Sequence, residues 1–144
     1  MGKSLLTTIF LYVLTAFHHY YGALVYNTPW RTHVVLFGGA VLLLLTLCFI
    51  LYSWQKKRVF LNLYLLLAFI VFGVGIGIFE GGYNHLVKDI LFFSGAKLST
   101  LQWLYPSPAY EMPNNFLFEA TGILQFFVGI TAIYYLRRAF KTAI

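Results

Sequence analysis

The chain has 144 residues, of which 60% are apolar and only 10% are charged, with a mean hydropathy of +0.78. A water-soluble domain needs a polar exterior that this composition cannot supply, so the sequence predicts a surface covered by lipid. The formal net charge of +6 would indicate nucleic acid in a soluble protein. Here the excess of positive charge on the cytoplasmic flanks of membrane spans explains it, and we expect no nucleic-acid partner. The single cysteine, Cys48, excludes an intrachain disulfide and a Cys-rich metal site.

Four apolar runs predict four membrane-spanning helices, at about 4–26, 32–54, 59–80 and 114–136. Each run has the length of a helix and lacks the alternating pattern of a barrel strand. We therefore predict an all-α integral membrane protein, formed by residues 1–144 as a single domain. The expected architecture is an up-down bundle of four transmembrane helices. A structured outer loop of about 82–113 joins helices 3 and 4, and Pro106, Pro108 and Pro113 are expected to keep part of it extended.

The first two spans carry three of the four histidines. In span one, Thr15 and His19 follow helical spacing on a weakly polar stripe, and His18 points about 100° away from it. One of these two neighbouring histidines is expected to be an interfacial side chain with its polar tip in water. His33 lies in the first turn of span two beside Arg31, where an interfacial role is favoured over that of a ligand.

Span three ends where the chain stops being purely apolar. Its glycines repeat at every fourth position, at Gly73, Gly77 and Gly81. Such a stripe favours close packing of another helix. It leads to Glu80, which is followed by Asn84 four positions later and by His85 five positions later. An ionisable residue at the end of a span is costly unless it has a partner, so this segment predicts a functional site.

The basic residues predict the orientation. Seven of them lie at the N-terminus, in the turn after span two and at the C-terminus: Lys3, Lys56, Lys57, Arg58, Arg137, Arg138 and Lys141. The opposite side carries Arg31, Lys88 and Lys97. This asymmetry predicts that both termini are cytoplasmic and that the long loop faces the periplasm or the exterior. A bacterial inner membrane is the expected location.

Four alternating spans would bring all the histidines and all the acidic residues to the outer side of the membrane. Glu119 lies in the second turn of span four, about 7 Å from its outer end. The predicted metal ligands of first rank are His19, Glu80, His85 and Glu119. Those of second rank are His18 and His33, with Asn84 beside them.

Imidazole and carboxylate together suit zinc, iron, copper or manganese. No helix carries a known ligand pair such as H-E-x-x-H, so the metal hypothesis depends on convergence between helices. The leading hypothesis is a membrane protein whose outer His/Glu cluster binds a metal ion or performs acid–base chemistry on a lipophilic small molecule. In such an enzyme Glu80 and Glu119 are the candidate general acid and base.

Two alternatives remain open. The chain could be a non-catalytic small subunit of a larger membrane complex, or a homo-oligomer, with Glu119 in a structural ion pair with Arg31 or Lys88. It could also be a haem-binding electron-transfer protein, although two haem-ligating histidines would be expected deeper in the bundle. Membrane lipid is a partner in every case.

Overall fold

The computed structural model describes residues 1–107 and 109–143, and every regular element within them is helical. Pro108 lies outside the described residues. The elements are α1 (Gly2–Val25), α2 (Thr32–Gln55), α3 (Arg58–Phe93), α4 (Leu98–Leu104) and α5 (Phe116–Ala143). A short 3-10 turn, Pro29–Arg31, leads into α2. The predicted all-α class is therefore confirmed.

Within the described residues, three helices are long and apolar enough to cross a membrane: α2 with the turn before it, α3, and α5. Large apolar side chains on α2 point away from the protein, with Leu36 and Leu43 each 75% exposed and Trp54 84% exposed. A surface of this kind indicates association with a membrane. The helix α1 is not among the three, in keeping with the polar residues that it buries, which include His18 and His19.

The helix α3 is longer than the sequence indicated. It continues past Glu80 to Phe93, so the expected loop of 82–113 is shortened to the segment between Phe93 and Phe116. Residues 84–93 continue α3, and their polar side chains Asn84, His85 and Lys88 are buried inside the bundle.

The middle of α3, Ala68–Val87, is a wide π-helical segment with i→i+5 hydrogen bonds. It lies against α5, and the glycine stripe faces that helix. A Cβ at Gly77 would come within 2.7 Å of the Gly129 Cα, and one at Gly73 within 2.8 Å of the Ile133 side chain. The prediction that the stripe serves packing is confirmed.

Replacing Gly77 by alanine is expected to lower the melting temperature in detergent, because the new methyl group overlaps the α5 backbone and forces the two helices apart. Gly75→Ala is the matched control, since a Cβ there meets only the Ile70 carbonyl oxygen of its own helix, at 3.4 Å. Thermal unfolding of both variants tests this packing. Equal melting temperatures for the two variants would contradict it.

The helix α1 runs antiparallel to α5. Near the middle of α1, the Thr15 hydroxyl donates to the Gln125 side-chain oxygen at 3.2 Å, and at its end the Tyr26 hydroxyl donates to Asn114 at 2.6 Å. At the opposite end, Ser4 is 2.8 Å from the Tyr64 hydroxyl of α3. This alignment brings the last turns of α1 beside the first turns of α5.

The connection between α3 and α5 is held against α3 by tyrosines. Tyr105 is 1% exposed, and its hydroxyl donates to the Tyr83 carbonyl at 3.0 Å, while the Tyr83 hydroxyl donates to the Leu104 carbonyl at 3.3 Å. Burial raises the pKa of Tyr105 to about 12, so the hydroxyl remains a hydrogen-bond donor at neutral pH. The aromatic residues of this loop therefore order it over the end of the bundle.

Candidate metal centre

Three histidines converge on one oxygen atom of Glu80. The Nε2 atoms of His19, His85 and His18 lie 3.6, 3.8 and 3.9 Å from Glu80 Oε1. For His18, Glu80 and His85, the three ligand atoms all lie within 4.8 Å of one another. The side chains of His18, His19 and His85 are all buried, and that of Glu80 is 19% exposed. The ligand atoms of His18, Glu80 and His85 therefore form a compact group, and His19 approaches it through Glu80.

The π-helical segment places Glu80 and His85 on the same side of α3. In an α-helix, residues five apart point in different directions, whereas i→i+5 hydrogen bonding brings them nearly into line. Asn84 also faces this side, and its amide nitrogen donates to Glu80 Oε2 at 2.8 Å. One carboxylate oxygen of Glu80 is thus held by Asn84, and the other faces the histidines.

Glu119 fixes the orientation of His85. The distance from His85 Nδ1 to Glu119 Oε2 is 2.6 Å, and Lys88 Nζ donates to Glu119 Oε1 at 3.1 Å. An ionised carboxylate only accepts, so Nδ1 carries the proton in this contact, and the His85 Nε2 atom faces Glu80. A carboxylate behind a ligating imidazole is the usual second partner in protein metal sites.

Thr121 orients His18 as Glu119 orients His85, with Nδ1 toward Thr121 and Nε2 toward Glu80. The Thr121 hydroxyl donates to the carbonyl oxygens of Leu117 or Phe118, at 2.8 and 3.0 Å. When the hydroxyl donates in this way, its oxygen accepts from His18 Nδ1, which is 3.0 Å away, and a neutral His18 then carries no proton on Nε2. That buried Nε2 atom has no hydrogen-bond partner among the described residues.

Glycines make room for two of the rings at this site. A Cβ at Gly122 of α5 would overlap the His85 imidazole, and a Cβ at Gly22 of α1 would overlap the Phe118 ring. Phe118 in turn stacks on His18 with ring centroids 4.2 Å apart. The His19 ring is less constrained, because its buried Nδ1 atom has no partner among the described residues.

The spacing of these atoms fits an ion. With metal–ligand bonds of about 2.0–2.1 Å, the ligands of a tetrahedral site lie about 3.3 Å from one another. The observed separations from Glu80 Oε1 are a few tenths of an ångström longer, and they exceed hydrogen-bonding distance. Lys88 is already paired with Glu119, so the near neighbours of the Glu80 carboxylate are the three imidazoles and the Asn84 amide. A cation would balance its charge.

A cavity of about 190 Å³ lies beside the cluster. Glu80, His19 and His85 form one wall. The other walls include Trp30, Arg31 and Val34 at the start of α2, Phe79 of α3, and Tyr110 and Glu111 of the connection before α5. A small molecule in the cavity would therefore touch both the cluster and apolar side chains.

The structure brings together five of the six predicted metal ligands, namely His18, His19, Glu80, His85 and Glu119. Glu119 contacts the cluster only through His85. His33 lies apart from the group: it is exposed, its Nδ1 atom is bonded to the Trp30 carbonyl oxygen, and it lines the outer part of the cavity. Both His18 and His19 are buried, so neither is the interfacial side chain that the sequence suggested.

Two residues of the site had no clear sequence signal. Thr121 resembles any hydroxyl residue that bonds back to its own helix, and Glu111 falls in an irregular segment. The ion pair between Glu119 and Lys88, which the sequence raised as an alternative, is present, with Lys88 Nζ 3.1 Å from Glu119 Oε1. The isolated Glu119 in an apolar run offered one indication, because a buried carboxylate needs a donor and Lys88 was among the few cations on the same side.

The fold and the site define an all-helical protein with three helices able to cross a membrane and a buried histidine–glutamate group at one end of its bundle. No family model, curated protein or solved structure matches the chain.

Proposed function

We propose that this chain is a four-span integral membrane protein that holds one divalent transition-metal ion at the outer end of its bundle and acts on a lipophilic substrate there. In this architecture α1 is the fourth span, and its last turns supply two of the ligands. Zinc, iron, copper and manganese all accept such a ligand set. The observation that carries the proposal is that the Nε2 atoms of His19, His85 and His18 lie 3.6, 3.8 and 3.9 Å from Glu80 Oε1.

The residues have separate roles in this proposal. His18, His19, His85 and Glu80 would hold the ion, while Thr121 and Glu119 orient two of the imidazoles. When bound, the ion supplies a Lewis acid that polarises a carbonyl or phosphoryl oxygen. Glu80 borders the cavity, so a substrate there would lie beside the ion and its carboxylate ligand. Glu119 does not line that cavity and has two donors of its own, so it is a positioning residue.

The volume of the cavity argues against haem. Pockets for drug-sized ligands occupy about 300–1,000 Å³, and this cavity has about 190 Å³. The imidazole rings of His18 and His85 are also in edge contact, with centroids 4.6 Å apart, which leaves no slot for a macrocycle between them.

Elemental analysis of the purified protein tests the proposal. We expect about one transition-metal ion per chain in the parent and a loss of most of it in Glu80→Gln, because the only anionic ligand is removed. Glu111→Gln is the matched control, since Glu111 lies across the cavity and contacts none of the ligand atoms; it should retain the metal. Equal metal content in the parent and Glu80→Gln would contradict the proposal and favour the non-catalytic subunit.

The orientation follows from the charges, with both termini on the cytoplasmic side and the metal centre on the outer side. A cysteine introduced at Ser99, in a Cys48→Ser background, is expected to react with an impermeant thiol reagent added to whole cells. A cysteine at Gln55 is expected to react only after the cells are opened. The reverse pattern would invert the orientation.

A further inference from the structure

Arg31 lines the cavity, and its positive charge has no role in the proposed metal site. It is 4% exposed, although it lies at the start of α2. Its Nε atom donates to the Thr28 hydroxyl at 2.8 Å. Its guanidinium carbon lies 4.9 Å from the centre of the Trp30 ring and 5.5 Å from that of Phe118. These contacts fix the guanidinium without any help from an acid.

The one carboxylate that Arg31 meets among the described residues belongs to Glu111, and the contact is weak. A single pair of atoms, Arg31 Nη2 and Glu111 Oε1, lies 3.4 Å apart. Charge-assisted bonds of this type are normally about 2.7–2.9 Å and often bidentate. Glu111 is 26% exposed at its side chain and sits on the irregular connection before α5. Its backbone is held separately, because Lys88 Nζ donates to the Glu111 carbonyl oxygen at 2.7 Å.

We propose that Arg31 binds the anionic group of an amphiphilic ligand, and that this group takes the place of the Glu111 carboxylate. The inference rests on the proposed function and names the substrate class of the same site: a lipid-like molecule with a carboxylate or another anionic head group. An entering carboxylate can form two parallel bonds with the guanidinium where Glu111 forms one long contact.

The shape of the cavity supports an amphiphile. A space of about 190 Å³ accommodates a head group but not a long chain. The wall formed by Val34 and Phe79 is apolar and faces outward, with Phe79 50% exposed. A chain can leave past these residues into the bilayer, while the head group remains between Arg31 and Glu80. The reacting part of the molecule would then lie beside the metal centre.

Quenching of Trp30 fluorescence tests this subsite, because a bromine beside the bound carboxylate would lie next to the Trp30 ring. The protein is placed in phosphatidylcholine nanodiscs with Trp54 and Trp103 replaced by phenylalanine. It is titrated with 2-bromododecanoate, with the neutral 2-bromododecanamide and with the short, soluble 2-bromobutyrate. We expect saturable quenching by the first ligand and at least about 10-fold weaker binding of the other two.

Three variants sharpen the result. Arg31→Gln is expected to weaken 2-bromododecanoate binding about 10-fold or more and to leave the binding of the amide unchanged. Glu111→Gln is expected to tighten it, because the competing carboxylate is gone. Arg31→Lys retains the positive charge but cannot form two parallel bonds with a carboxylate, so it should bind 2-bromododecanoate with intermediate affinity. This variant replaces Arg31→Gln if Arg31→Gln fails to fold.

Equal affinities for the carboxylate and the amide, or an unchanged affinity in Arg31→Gln, would overturn the subsite. Equal affinities for 2-bromobutyrate and 2-bromododecanoate would contradict an amphiphilic ligand and indicate that the subsite binds a soluble carboxylate. Metal content is measured on the same samples. If the parent contains the metal but does not bind 2-bromododecanoate, only the subsite is refuted. If the parent binds 2-bromododecanoate but contains no metal, only the metal centre is refuted.

Discussion

Lys88→Met is expected to lower the free energy of unfolding by about 3–5 kcal/mol, which is the usual cost of removing one partner from a buried ion pair. Lys88 is 1% exposed and donates both to Glu119 Oε1 and to the Glu111 carbonyl oxygen. Methionine has a similar length but no charge, so the buried Glu119 carboxylate would lose its lysine partner. Reversible unfolding in mixed detergent micelles measures the loss.

Two further variants isolate the ion pair. Lys97→Met removes a lysine that is exposed, and it should have little effect on stability. Lys88→Met combined with Glu119→Gln removes both charges of the pair and should recover part of the lost stability. If Lys88→Met is no less stable than Lys97→Met, Lys88 is not the partner of Glu119.

Glu119→Gln is expected to lower the metal affinity about 10- to 100-fold, as is typical when the residue behind a ligating histidine is changed. The amide oxygen would accept from Lys88, and the amide NH₂ group would then face His85 Nδ1. That nitrogen would have to accept, so the imidazole proton would move to Nε2, the atom that faces Glu80. The ligand lone pair would be lost while the bundle remains folded.

Competition with a chromogenic chelator measures the affinity, and Glu111→Gln is again the control, because it makes the same chemical change outside the cluster. A Glu119→Gln variant with the affinity of the parent would show that Glu119 does not orient a metal ligand. In that case the contact between His85 and Glu119 would be structural only.

The sequence alone predicted the all-helical class and the position of the site at one end of the bundle. Long apolar runs specify helices in lipid, since every backbone polar group must then be bonded within its own segment. Antiparallel packing places the end of α1, the end of α3 and the start of α5 at one end of the bundle. The meeting of His18 and His19 with Glu80 follows from that packing.

The details of the cluster were not accessible, because they depend on departures from regular geometry. Helical spacing in α3 separated Glu80 from His85, whereas the π-helical segment aligns them. Spacing in α1 also allowed only one of His18 and His19 to face inward. Both are buried, because α1 contacts α3 on one side and α5 on the other at this level. Hydrophobic periodicity carries no information on such tertiary contacts.

X-ray absorption at the metal edge tests the central claim most directly, because it counts the ligands of the bound ion. The account predicts three imidazole nitrogens and one carboxylate oxygen at about 2.0–2.2 Å, with any further ligand supplied from the cavity. The multiple-scattering signal of the imidazole rings should weaken by one ring in His18→Ala. A coordination shell of oxygen atoms without imidazole scattering, or a spectrum that His18→Ala leaves unchanged, would contradict the claim that these histidines and Glu80 form a metal centre.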